Sequence, residues 1–390
     1  MHSSSWIVYS QKLRYEYRMH VSGMRWVERV VNNLSRRFGG RTVYCQLPSV
    51  WLIIGLIQFF LCACAFPAQT TSGKRDVPPD NYLNPLGDPQ ISLQDPYMFV
   101  HARKYYLFGT VSPTEGFQCY ESSDLVNWKL DGWAWKKSAL RAARGELHSP
   151  QVFFYQGMFC LVYSARMVNG IRLAMAAATQ PEGPYHDLHV PWLALGDSCT
   201  SGDVFIDDNG KAYLTFTQAS SREGCAYCTI YGVALNGDLS KIVGTPVKLL
   251  EATQRWELVR RDSVRYNAVP RVFKINGKYY LTYSANDPLS AERAIGYARA
   301  DKPLGTWTKA MDNPLLSTRS ELAVVGPGQG SVFRALGGVE RFLVYESFAD
   351  PANPYGRRAI NIDRLQLKEN RQLSLAGPTR SPQPLPATAK

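Results

Sequence analysis

The feature that most constrains this chain is one pattern repeated five times from about residue 86 onward. Each unit carries a short strand, a turn, a strand of alternating aromatic residues, and then a strand of small residues. The units open with Tyr97–Val100, Gln151–Tyr155, Asp203–Ile206, Arg271–Lys274 and Ser331–Arg334. Their second strands cover 105–110, 159–164, 212–216, 279–284 and 342–345. Pairs such as Asn276-Gly277 and Gly337-Gly338 lie between the first two strands. They are hairpin turns, because both central residues must adopt positive φ. Third strands close on Gly183-Pro184-Tyr185 or Gly305-Thr306-Trp307, with Asp124–Trp128 in the first unit. Units spaced about 50–65 residues apart, with no long helical periodicity, predict an all-β chain folded as a five-bladed β-propeller. A β-sandwich or a β-helix does not use units this long with a meander of strands. In a propeller the inner strands face a central channel, so the chemistry is expected just before each first hairpin strand.

The repeat leaves both ends of the chain outside it. Residues 50–66 form an uncharged run after a basic stretch, and Ala63-Cys64-Ala65 fits a small-residue cleavage site. Leu61-Cys62-Ala63-Cys64 also looks like a lipoprotein processing box, and the length is at the lower edge of a membrane span. The expected organisation is a basic extension at 1–49, with Met24 as an alternative start. A signal peptide, lipoprotein signal or membrane anchor follows at 50–66, then a linker at 67–85 and the propeller at 86–380. A secreted, periplasmic or outer-surface lipoprotein is expected, with a retained membrane anchor as the alternative.

Charge and cysteine content narrow the partners. The net charge is +12, and residues 1–49 contribute half of it, with eight Lys and Arg against two Glu. The body shows no concentrated basic face or motif, which argues against a nucleic-acid partner. Export permits disulfides. The body holds Cys119, Cys160, Cys199, Cys225 and Cys228, an odd number. Cys225-Ala226-Tyr227-Cys228 lacks the second ligand pair a zinc site needs, leaving a local disulfide or two buried thiols.

Several strings together resemble glycoside hydrolase family 43, the arabinosidases and xylosidases. They are Asp95-Pro96-Tyr97 leading into Lys104–Thr110, Ser123–Trp128, Phe205–Leu214, Gly277–Ser284 and Gly326–Phe333. The resemblance implies an exported enzyme hydrolysing O-glycosidic bonds of arabinose- or xylose-containing polysaccharides by inversion. Such a reaction needs a base to activate water and an acid to protonate the departing oxygen. Asp95 matches the family's base. Its pKa-tuning Asp falls at Ser201, and its acid Glu at Ala268. Asp203, two residues beyond Ser201, would share its face on a regular strand and is a candidate for the tuning role, or it pairs with a basic neighbour. Glu257, Glu146 and Glu346 are candidate relocated acids, and His148 is a candidate acid of another type. Glu346 stands where many relatives carry His.

Tyr97, His148, Trp256, Arg271 and Gln329 are candidate substrate-binding residues, with Trp133, Trp135 and Tyr266 as further aromatic surface. Gln329 also replaces a His that helps hold a central ion in many relatives. Its carbonyl oxygen could serve a structural calcium, although no acidic calcium loop accompanies it. No cofactor is otherwise required. The expected partner is a polysaccharide or oligosaccharide, with membrane attachment through the N-terminal segment as an option. Loss of two carboxylates also raises an alternative: a carbohydrate-binding propeller without catalysis.

Overall fold

A computed structural model describes residues 77–137, 145–193, 195–196, 198–222, 224–259 and 263–387. The basic extension, the apolar run and most of the linker lie outside the described residues. After β1 (Asn81–Tyr82) come five antiparallel four-stranded meanders. Blade one holds β2 (Gln94–His101), β3 (Lys104–Ser112), β4 (Gly116–Ser122) and β5 (Lys129–Lys136). Blade two holds β6 (Gly145–Tyr155), β7 (Met158–Met167), β8 (Gly170–Ala178) and β9 (His186–His189). Blade three holds β10 (Cys199–Ile206), β11 (Ala212–Arg222), β12 (Cys225–Leu235) and β13 (Ile242–Leu250). Blade four holds β14 (Val264–Ile275), β15 (Lys278–Ala285), β16 (Ala294–Ala300) and β17 (Thr308–Lys309). Blade five holds β18 (Gly328–Arg334), β19 (Arg341–Phe348), β20 (Arg358–Leu367) and β21 (Leu373–Ala376), and β22 (Gln383–Pro384) ends the fold. Blades three and four are also stitched by a short parallel pairing of β12 with β14. Among the described residues no helix is long and apolar enough to cross a membrane.

Why these sheets stack as blades is visible in their burial. Each apolar core lies between two blades rather than within one. Phe108, Phe117 and Trp135 of blade one pack on Leu161 and Tyr163 of blade two. Val162 and Leu173 meet Leu214 and Phe216, and Ile230 and Leu249 meet Leu281 and Tyr283. Tyr280 and Ile295 meet Leu365 and Leu343, and Phe333 and Phe342 return to Leu107 of blade one. Both faces of β3, β7, β15 and β19 are therefore buried, and those strands read as nearly unbroken apolar runs. The aromatic closures also have a shared geometry. Trp128 Nε1 donates to the Leu125 carbonyl, the Tyr185 hydroxyl to Pro181, and Trp307 Nε1 to Pro303, at 2.7–3.0 Å. Each ring thus pins the turn into its blade's fourth strand.

Two boundaries move relative to the sequence reading. The end of the expected linker belongs to the fold: Tyr82 and Asn84 are buried, and β1 pairs with β22 beyond residue 380. The Asn84 side chain binds both backbone groups of Ile362, donating to its carbonyl at 2.7 Å and accepting its N–H at 2.9 Å. Cys225 and Cys228 face Arg222 and Ala219 across the β11–β12 ladder and remain two thiols.

Candidate active site

All five inner strands carry the same irregularity. Their register with the neighbouring strand shifts at Gln94/Tyr97, His148/Gln151, Thr200/Asp203, Ala268/Arg271 and Gly328/Ser331. At each shift one residue takes positive φ, between 54° and 57°: Asp95, Ser149, Ser201, Val269 and Gln329. A β-bulge bends its strand and re-aims side chains, and here it recurs at one height around the channel. The shared register sorts the neighbouring residues into three layers, and the His148–Thr200, Ser149–Ser201 and Asp203–Arg271 contacts each join members of one layer. Gln94, His148, Thr200, Ala268 and Gly328 precede the bulge. Asp95, Ser149, Ser201, Val269 and Gln329 occupy it. Tyr97, Gln151, Asp203, Arg271 and Ser331 follow deeper in the channel.

Each bulge N–H needs an acceptor, because its strand ladder is interrupted there. Blade by blade, a side chain from the previous blade supplies one. Ser164 Oγ accepts from Ser201 N–H at 2.8 Å, Thr217 Oγ1 from Val269 at 3.1 Å, and Ser284 Oγ from Gln329 at 2.9 Å. These acceptors are the residues opposite His148, Thr200 and Ala268 on the second strands. Glu346 is their counterpart opposite Gly328, and its Oε2 accepts from Asp95 N–H at 2.8 Å. Thr110 is the remaining counterpart, and Asp95 comes between it and blade two: Asp95 Oδ2 accepts from Thr110 Oγ1 at 2.9 Å and from Ser149 N–H at 3.0 Å. Asp95 is thus buried at 7% exposure, with Oδ2 doubly held and its backbone tied to blade five.

Of the candidate relocated acids only Glu346 touches Asp95, through the backbone amide, and none is free to act. Glu346 is buried against Arg293, with Oε1 2.6 Å from NH1, and its other oxygen takes the Asp95 amide. Glu257 sits on the short helical turn Arg255–Glu257 between blades three and four. It accepts from Tyr283 and Asn267 side chains, from Lys309 and from the backbone of Thr253 and Gln254. Both are structural carboxylates with no oxygen left for a leaving group. Glu146 is at the rim, where Arg166 binds both its oxygens at 2.6 and 2.7 Å.

Asp203 also departs from the sequence reading. The bulge separates it from Ser201, so the two do not share a layer. Ser201 Oγ lies 3.1 Å from Ser149 Oγ, whereas Asp203 is deeper, accepting from Val272 N–H at 2.8 Å and pairing with Arg271 at 3.4 Å. Of its two expected roles, Asp203 takes the basic partner. Burial raises its carboxyl above the usual range, against the opposing pull of Arg271.

Among the candidate binding residues, His148 remains at the rim. Its Nδ1 is 2.7 Å from the Glu146 carbonyl oxygen, an arrangement that places the ring proton on Nδ1 in the neutral form and turns Nε2 to the Thr200 hydroxyl. Tyr266 is half-buried, and burial first, then Cys228 and other nearby groups including Asp95, raise its phenol. Arg271 and Tyr97 instead lie inside the channel, the guanidinium 5.1 Å from the ring centroid, and burial pushes the Tyr97 hydroxyl up to about 12. Trp256 is partly buried and tilted against Tyr283, 6.1 Å between ring centroids, beside the core between blades three and four, and Trp135 is buried with its indole N–H on Asp187. Trp133 lies 4.9 Å from Lys136 on blade one. Arg293, Thr110 and Ser149 emerge as site residues to which the sequence reading gave no role; the fivefold register identifies Thr110 and Ser149, and the pairing with Glu346 identifies Arg293.

Comparison with known proteins gives one consistent result. The profile of glycosyl hydrolases family 43 matches residues 82–371. An extracellular exo-alpha-(1->5)-L-arabinofuranosidase of Streptomyces avermitilis is 24% identical over 79% of this chain and 66% of its own length. An alpha-L-arabinofuranosidase of Humicola insolens is 24% identical over 76% of this chain and 61% of its own. The chain therefore spans about two thirds or less of the length of these two curated relatives. A crystal structure of a thermostable family-43 glycoside hydrolase superposes with a TM-score of 0.75 at 36% identity, covering 79% of this chain and 99% of that one.

Proposed function

The chain belongs to glycosyl hydrolases family 43, and from that premise we propose that it hydrolyses glycosidic bonds of arabinose- or xylose-containing polysaccharides with inversion, using Asp95 as the general base. The observation that carries this reading is the way Asp95 is held. Thr110 and Ser149 fix Oδ2 in the bulge layer of the channel, which orients the carboxylate and leaves Oδ1 to take a proton from an attacking water. The water's oxygen forms the new bond at the anomeric carbon as the glycosidic bond breaks. A second group must deliver a proton to the departing oxygen.

We assign that proton to His148. It occupies the same layer as Ala268, the position of the family's acid, and it is the only ionisable residue of that layer. Its ring would donate from Nε2, exchanging the Thr200 hydroxyl for the departing oxygen, while the Glu146 carbonyl fixes the ring at Nδ1. Export is part of the proposal: the uncharged run 50–66 supports it, as does a relative described as extracellular.

The test is sugar release from arabinan, arabinoxylan and aryl pentosides by the full chain, Asp95→Asn and His148→Gln. Each variant should lose roughly 10²–10⁴ of the rate, and the first product anomer should be inverted by NMR. Serine and alanine at positions 201 and 268 favour a second reading, a sugar-binding propeller. Retention of polysaccharide with no release by the wild type would establish that reading and overturn the first.

A further inference from the structure

Arg271 reaches across the hub of the propeller. It projects from blade four; its NH1 is 3.3 Å from the Gly202 carbonyl and 3.4 Å from Asp203 Oδ1 on blade three. NH2 is 3.3 Å from the Pro150 carbonyl on blade two, and the guanidinium lies over the Tyr97 ring of blade one. One side chain therefore touches three other blades, at 4% exposure. Each of these hydrogen bonds is long, at the outer edge of the usual range. The group acts as a cation shared among acceptors rather than as one half of a tight bidentate pair.

This arrangement decides whether a structural calcium fits. Calcium takes about six to eight oxygen ligands. Gln329 Oε1 is buried and has no hydrogen-bond partner among the described residues, so it offers one oxygen. Below it, however, the single carboxylate of the deep layer is already paired with Arg271. No group of three or more His, Cys, Asp or Glu among the described residues could hold a metal. A divalent ion placed there would face a fixed positive charge. The residues do not fit calcium.

We infer that Arg271 supplies from the chain itself the positive charge that joins the blades at the hub, in place of a bound metal cation. The inference concerns stability and stands apart from the hydrolytic reading. It is tested by thermal melting of the full chain in chelator and in millimolar calcium chloride, with elemental analysis of the purified protein. The expected results are one melting temperature in both conditions and no stoichiometric metal. Arg271→Gln should melt several degrees lower, and Arg271→Lys, which keeps the charge and loses the fork, should fall between them. A chelator-induced drop in the wild type, one equivalent of bound metal, or an Arg271→Gln melt equal to the wild type would each overturn it. Should Arg271→Gln fail to fold, the lysine variant and the wild-type arms still decide.

Discussion

Glu346 shows how one residue position can carry different chemistry in successive repeats. In blades two to four its counterparts are hydroxyls that accept a bulge amide; in blade five the acceptor is a carboxylate, which requires a cation nearby. Arg293 provides it, and it packs so closely on Gly328 that a Cβ there would collide with its guanidinium. Arg358 approaches the same oxygen at 4.0 Å. Removing the charge on one side of such a pair strands the other in a dry site. Glu346→Gln keeps an acceptor for the Asp95 amide yet leaves Arg293 uncompensated, so it should cost about 3–5 kcal/mol, as breaking buried ion pairs does. Urea denaturation would read this directly, and a loss under 1 kcal/mol would show that the pair contributes little.

At the scale of elements, closure of the ring does not rely on an exchanged strand, since blades one and five are each continuous in sequence. Instead the chain ends clasp each other through β1 and β22, and Asn84 imitates a strand by binding both backbone groups of Ile362. Asn84→Ala would leave those two buried groups without partners, at about 1–3 kcal/mol each. A denaturation midpoint unchanged by that substitution would contradict the role. The sequence revealed the inner three strands of nearly every blade, because both faces are buried and hairpin turns punctuate them. It hid the fourth strands, of which His186–His189 and Thr308–Lys309 are short, polar and at the edge. The bulges were hidden as well. Nothing in Thr200-Ser201-Gly202-Asp203 announces positive φ at a serine, and assuming a regular strand placed Asp203 one layer too high. The hairpin of blade one was legible from its strands, although its turn residues Ala102 and Arg103 both take positive φ without Gly or Asn. Asp95 was legible because its flanking string is distinctive. The engagements of Glu257 with Lys309 and of Glu346 with Asp95 were not, because those partners lie tens to hundreds of residues away in sequence.

For the whole molecule, pH enters through Asp363, which ties blade five to the C-terminal segment. It accepts from Tyr345 at 2.7 Å and Thr379 at 2.6 Å, and Gly377 passes against it with no room for a side chain. Burial raises its carboxyl from 3.8 to about 6, outweighing those hydrogen bonds. The folded state therefore holds this proton more tightly than the unfolded chain. Its contribution is complete below about pH 4 and is lost as pH rises through about 6, an effect of about 3 kcal/mol at most. Melting temperatures of the wild type and Asp363→Asn across pH 4–8 would show it: the wild type should decline over that interval relative to a flatter variant. Parallel curves would remove Asp363 as the cause.

The amide of Asp95 hangs on blade five while its carboxylate hangs on blade two. The proposed base is thus a rivet through the seam where the ring begins and ends. Any parting of that seam, even one too small to expose the cores, would swing the carboxylate off its bearings, so the joint that shuts the ring is also what arms it.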